Sequence, residues 1–236
     1  MNKKLQSAFE TEKSGDYKTA LKMYSSLESE NLSFDDRVFL LRSIGACNYY
    51  LQNYSEAQNH FHSILEMPDI TPPVRKEVLT SLNLCYLYGG NPEKAKNHFL
   101  EDIKADSSYQ DKMWDYWYLG QCDFLIKDYE KMVSDYQMAV EISEKNQIGN
   151  LPFFISHLMV ALLLVNNEEA FLKNHDKIKA YEDSSYGLLK IVSAIYRKRK
   201  GYADWHELYS KGIKEAEDNK YIENIKLGEF LFKKYD

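Results

Sequence analysis

The chain of 236 residues is short of helix breakers, with 5 Pro and 10 Gly. That scarcity argues against a strand-and-turn architecture and for long helices joined by short turns. No apolar run reaches the length needed to span a membrane, and the start of the chain, MNKKLQSAFETEKSGDY, has no hydrophobic signal core. Excess positive charge is also missing: the formal net charge is −6, which excludes nucleic-acid binding through bulk charge. Cysteine is sparse, three in all with no C-x-x-C pair, so reduced thiols in a cytoplasmic protein are expected. There is no Gly-rich phosphate loop, no G-x-S-x-G elbow, no Walker sequence and no zinc-protease motif. The six histidines include His60 and His62 on opposing sides of one helix, unlike the i, i+4 pair of a zinc helix. No catalytic residue, metal ligand or cofactor site is therefore assigned, and an enzyme with an unrecognised site is the weakest of three readings.

What the chain does contain is aromatic bulk, with 19 Tyr and 11 Phe in a composition that is 44% hydrophobic and 28% charged. Aligned with itself, it repeats. Gly15-Asp16-Tyr17-x-x-Ala20-x-x-x-Tyr24 returns as Asn53-Tyr54-x-x-Ala57-x-x-x-Phe61. Asn91-Pro92-x-x-Ala95-x-x-x-Phe99 and Asp128-Tyr129-x-x-Met132-x-x-x-Tyr136 follow, with weaker copies at Asn166 and Gly201. The turn residues Asp16, Asn53, Asn91, Asp128, Asn166 and Gly201 stand 37, 38, 37, 38 and 35 apart. Upstream of five of the six turns lies a second signature with a small residue, Ala8, Gly45, Asn83, Gly120 and Ser193, while the fifth copy has Leu158 there. A small side chain there lets two helices approach, and the Tyr or Phe of the second helix fills the space beside it. Cys47, Cys85 and Cys122 each fall two residues after the small position, at one shared phase. They read as small hydrophobic packing groups.

These motifs resemble the tetratricopeptide repeat signature, W-x2-L-G-x2-Y followed by A-x3-F, in a degenerate form with a period longer than 34 residues. The resemblance implies an all-α, right-handed superhelical solenoid of about six helical hairpins plus a C-terminal capping helix. As a single repeat domain, the hairpins are expected at 1–33, 35–70, 72–107, 110–147, 150–182 and 185–217, with the cap at 219–234. Helices are placed near 2–14, 17–29, 35–51, 54–66, 73–88, 92–104, 110–126, 129–144, 152–165, 167–181, 185–200 and 202–217. Asp35 and Asp36, and Thr71 before Pro72-Pro73, are expected near helix starts.

The resemblance further implies that the first helix of each pair lines a concave face. The residues at its inward phases are Phe39, Arg42, Tyr49, Tyr50, Thr80, Leu84, Leu87, Tyr88, Trp114, Trp117, Gln121, Phe124 and Leu125, with Ile155, Met159 and Leu162 continuing the row. Exposed rings in a groove suit a protein or peptide partner with apolar anchors. The carboxylate clamp of chaperone-binding family members would begin at Leu5 and Phe9 or at Arg42 and Ala46, and neither pair matches it. A non-catalytic interaction module or adaptor is the first expectation. The alternative is a cytosolic peptide-sensing regulator: the long, Lys/Tyr/Asn/Ile-rich repeats resemble the helical-repeat halves of bacterial peptide-pheromone receptors, here without the N-terminal effector domain of that class. Nucleic acid and membrane are not expected as partners. A homodimer through the last helix would use apolar groups that fall on more than one of its sides. The basic run Arg197-Lys198-Arg199-Lys200 reads as a solvated charge run near a helix C-terminus.

Overall fold

The computed structural model describes residues 2–105, 108–178 and 186–235. The ends expected for the helices at 181 and 185 lie outside these residues. Among the described residues the chain forms thirteen α-helices and no strand. They are α1 (Lys3–Lys13), α2 (Tyr17–Ser25), α3 (Phe34–Tyr50), α4 (Tyr54–Leu65), α5 (Pro72–Tyr88), α6 (Pro92–Lys104) and α7 (Tyr109–Ile126). Then come α8 (Tyr129–Asn146), α9 (Leu151–Leu164), α10 (Glu168–Ile178), α11 (Leu188–Arg199), α12 (Trp205–Asp218) and α13 (Ile222–Lys234). None of them is long and apolar enough to cross a membrane.

The turns explain why the hairpins recur. Residues 15, 52, 90, 127, 166 and 201 all take a left-handed φ, between +58° and +90°. At five of these turns the next N–H reaches back five residues, from Asn53 to Asn48, Asn91 to Tyr86, Asp128 to Asp123, Asn167 to Leu162 and Tyr202 to Arg197. This Schellman closure satisfies carbonyls left open at the end of the first helix. The next side chain then caps the second helix. The Asp16, Asp128 and Asn167 carboxyl or amide oxygens accept from Thr19, Lys131 and Ala170 N–H at 3.1, 3.2 and 3.1 Å. In the last two copies Asn166 and Gly201 are thus the left-handed residues, one place ahead of the position given to them by the repeat alignment. At other starts Ser33 caps α3 by accepting from Asp36 N–H, with Asp35 and Asp36 in the first turn. Thr71 is the N-cap residue of α5 with Pro72 and Pro73 behind it. α2 ends four residues early, because Leu27 and Glu28 N–H turn to the i−3 carbonyls of Tyr24 and Ser25.

The chain divides into two compact units, Met1–His98 and Phe99–Asp236. In the first, Leu5, Ala8, Ala20, Tyr24, Leu40, Ile44 and Cys47 form a buried core. Gly45 sits against Phe61, and a Cβ at 45 would stand 2.7 Å from that ring. The small-residue and aromatic signatures therefore meet as expected.

In the second unit α9 is the axis. Phe153 through Leu164 are all buried, twelve residues in succession, so this helix has no solvent face. Packing from α8, α10 and α11 surrounds it, and α13 completes the enclosure: the Tyr235 hydroxyl donates to the Leu163 carbonyl at 2.7 Å. Ile155, Met159 and Leu162 are accordingly core residues, not lining residues, as is Leu87 in the first unit. The apolar groups on several sides of α13 have partners within the chain. Phe230 meets Phe124 edge-on at 5.0 Å, Phe232 lies against Trp205 and Tyr209, and Tyr221 stacks on Tyr186 at 4.2 Å. Ile222 is the exposed large apolar side chain of α13.

The basic run is not merely solvated. Arg197 grips the Asp204 carboxylate through Nε and Nη2 at 2.8 and 2.5 Å. Lys198 lies 3.8 Å from the Phe232 ring centroid. Arg199 donates to Asn166 Oδ1 at 2.8 Å and lies over Tyr235, and Lys200 pairs with Glu168. The four cations hold the end of α11 to the turns and helices around it, a use that needs tertiary structure to see.

Candidate functional site: two aromatic faces on the first helices

In the first unit the residues named for the inner face fall into two groups. At the middle of α3, Arg42 donates through Nη1 to both carboxylate oxygens of Glu77 on α5, at 3.0 and 2.8 Å. The guanidinium also lies 5.8 Å from the Phe39 centroid, and Phe39 packs edge-on to Phe9. Arg42 is therefore already neutralised. At the end of the helix is a cluster of tyrosines. Tyr50 stacks on Tyr17 at 4.4 Å and is 56% exposed. Tyr49 stands edge-on to Tyr50, Tyr54 and Tyr88, at 5.4, 5.8 and 6.2 Å. Leu84, four residues before Tyr88 on the same side of α5, is half-buried.

The second unit brings Trp114 and Trp117 together on α7, ring centroids 5.7 Å apart and perpendicular. Both lean on Phe153, and Trp117 also packs against His157 at 5.3 Å. The indole Nε1 of Trp117 is buried without an acceptor, an arrangement that leaves a donor unsatisfied. Gln121 does not face a ligand freely: its amide donates to the Tyr136 hydroxyl of α8 at 2.6 Å. Phe124 is half-buried, with the Phe230 ring edge-on to it at 5.0 Å. Sequence phase thus placed Trp114 and Trp117 side by side but could not show that α13 takes the end of the row.

His157 is buried, its Nδ1–H donates to the Phe153 carbonyl at 2.9 Å, and burial pushes the imidazole down to about 4. It is a neutral core histidine, as its apolar surroundings in the sequence imply. Burial pushes the Cys47 and Cys85 thiols up to about 12, so they remain thiols, not thiolate nucleophiles. Sequence reasoning passed over two buried carboxylates between α7 and α8. Asp135 accepts from Lys131 Nζ at 2.8 Å, which holds the ammonium above its usual range, and Asp123 lies nearby at the same repeat phase as buried Asn48. The available signal was a carboxylate at Asp123, one residue after Cys122, where buried Asn48 follows Cys47 in an earlier copy.

This architecture, antiparallel hairpins with a small-residue seam and a closing helix, is that of an α-helical repeat protein. No protein-family model matches the chain, and no match is found among curated proteins. Solved structures do match. The apo form of RapI is 14% identical with a TM-score of 0.74, over 94% of this chain and 65% of that one. A Rap protein complexed with Competence and Sporulation Factor gives a TM-score of 0.65 at 14% identity, over 97% of this chain and 71% of that one. The chain thus shares the helical-repeat fold of the Rap proteins while spanning just under two thirds of the length of RapI.

Proposed function

We propose that the protein is a non-catalytic cytoplasmic interaction module whose first-helix faces bind a peptide or a helix of a partner. The observation that carries this reading is the pair Trp114 and Trp117 on α7, half-buried rings beside an indole N–H that has no acceptor. Aromatic groups held rigid by neighbours give large contact area at little entropic cost, and an unpaired donor gains by meeting a carbonyl. Phe39, Arg42, Leu84 and the tyrosines Tyr49, Tyr50 and Tyr88 supply contacts of the same kind on the first unit. Because Arg42 is held by Glu77 and Gln121 by Tyr136, apolar anchors carry the affinity and charge contributes little.

Within that class, a peptide-sensing regulator is favoured by the likeness to the Rap fold, one member of which was solved with Competence and Sporulation Factor bound. Such a regulator changes stability or shape when its peptide binds.

A displayed library of short linear peptides, panned on the intact protein, tests the reading. Recovered peptides should carry apolar anchors, raise the unfolding temperature, and lose at least tenfold in affinity on Trp114→Ala with the helical circular dichroism retained. Peptides that bind Trp114→Ala as tightly as the parent protein would overturn it.

A further inference from the structure

A second site lies within the second unit, where α10, α11 and α12 diverge. It is a cleft of about 460 Å3, within the range that holds small ligands. Its origin lies in the repeat itself. In earlier copies the aromatic of the second helix covers the small residue of the first: Phe61 sits on Gly45 and Tyr136 on Gly120. The equivalent pair here is Ser193 and Tyr209, but Tyr209 packs against Phe232 of α13, ring centroids 5.6 Å apart. Ser193 instead lines the cleft.

Ser193 is 6% exposed, and its Oγ is buried with no hydrogen-bond partner. A buried hydroxyl left unpaired is costly, and a ligand offering a complementary group would recover that cost. Beside it the Tyr196 and Phe171 rings stack at 4.8 Å, and Leu172 and Leu208 add apolar wall. The cations that border the cleft already have carboxylates. Lys190 pairs with Glu215 at 2.6 Å, Arg197 with Asp204, and Lys211 with Glu207 at 2.7 Å. A charged ligand would bring a half-buried charge with no counterion waiting for it.

The geometry points to a binding site for an uncharged small molecule, with a flat ring against the Phe171 and Tyr196 side and one hydrogen-bonding group on Ser193 Oγ. This site is independent of the peptide reading.

Phenol, indole and benzamide serve as neutral probes, with benzoate and benzylamine as charged counterparts, in saturation-transfer NMR on the full chain. The neutral probes should bind at millimolar concentration or below and the charged ones at least tenfold more weakly. Leu172→Trp, at a residue 41% exposed and so tolerant of size, should fill the cleft and abolish binding. Ser193→Ala should weaken the neutral probes about tenfold, the loss of one hydrogen bond, while leaving thermal stability equal or higher because the orphan hydroxyl is gone. Failure of all three neutral probes, equal binding of benzoate, or unchanged binding in either folded variant would overturn the assignment.

Discussion

Gly120 lies directly beneath the ring of Tyr136, so that a Cβ at position 120 would stand 2.2 Å from its Cε1. Helix α7 can approach α8 only because that Cβ is missing. Gly120→Ala should destabilise the fold by about 1–3 kcal/mol through overpacking, despite the roughly 1 kcal/mol that Ala gains over Gly in a helix. Gly45→Ala, 2.7 Å from Phe61, should cost less. Urea denaturation midpoints of the two variants give the ranking.

Protonation of His157 should set part of the acid sensitivity. Its folded value, about 4 against 6.5 for the free group, is lowered because burial disfavours the imidazolium. The unfolded chain therefore binds the extra proton first, and stability falls as pH drops from 6.5 towards 4. About 3 kcal/mol of this is lost by pH 4. Above pH 6.5 this contribution is wholly present. In His157→Leu the fall across that window should be shallower by this amount, read from denaturation at several pH values with the carboxylates common to both proteins.

Glu215 accepts from Gly187 N–H at 2.9 Å and from Lys190 Nζ at 2.6 Å, with both side chains of the pair mostly buried. Glu215→Gln should cost about 2–3 kcal/mol, because it takes this carboxylate away from the ammonium. Lys190→Met combined with Glu215→Gln should recover much of that loss. A double-mutant cycle by denaturation measures the coupling.

Arg199 joins the turn at Asn166 to the ring of Tyr235, 4.4 Å away. Arg199→Ala should lower stability by about 1 kcal/mol. It should also speed amide exchange in the last turn of α13 more than in α9. Equal protection there would show that the Tyr235 bond to Leu163 holds the helix without help.

The hairpins were legible in the sequence because their causes are local. A left-handed turn, a cap and a small-to-aromatic seam all fall within one repeat, and Gly45 with Phe61 or Gly120 with Tyr136 can be read from spacing alone. The one-residue offset at Asn166 and Gly201 arose where that local pattern weakens and the caps differ. The repeat phase put Ile155, Met159 and Leu162 on a lining face, because nothing local to that run shows which helices bury it. Phe230 on Phe124, Tyr235 on Leu163 and Phe232 beside Lys198 depend on α13 returning over earlier helices, which no periodicity encodes. For the same reason the phase argument brought Trp114 and Trp117 together correctly but left Gln121 and Phe124 looking freer than they are. The cleft at Ser193 was invisible, since it is lined from three helices, α10, α11 and α12, whose packing no periodicity encodes.

The Phe230 ring beside Phe124 makes α7 a ruler. From Trp114 to Gln121 the helix advances about 10 Å, and beyond that Phe230 stands as an end-stop. An extended chain lying along this stretch would meet it over only about three residues, so a peptide held there as proposed would be read through a tripeptide-sized frame bounded by the protein's own last helix.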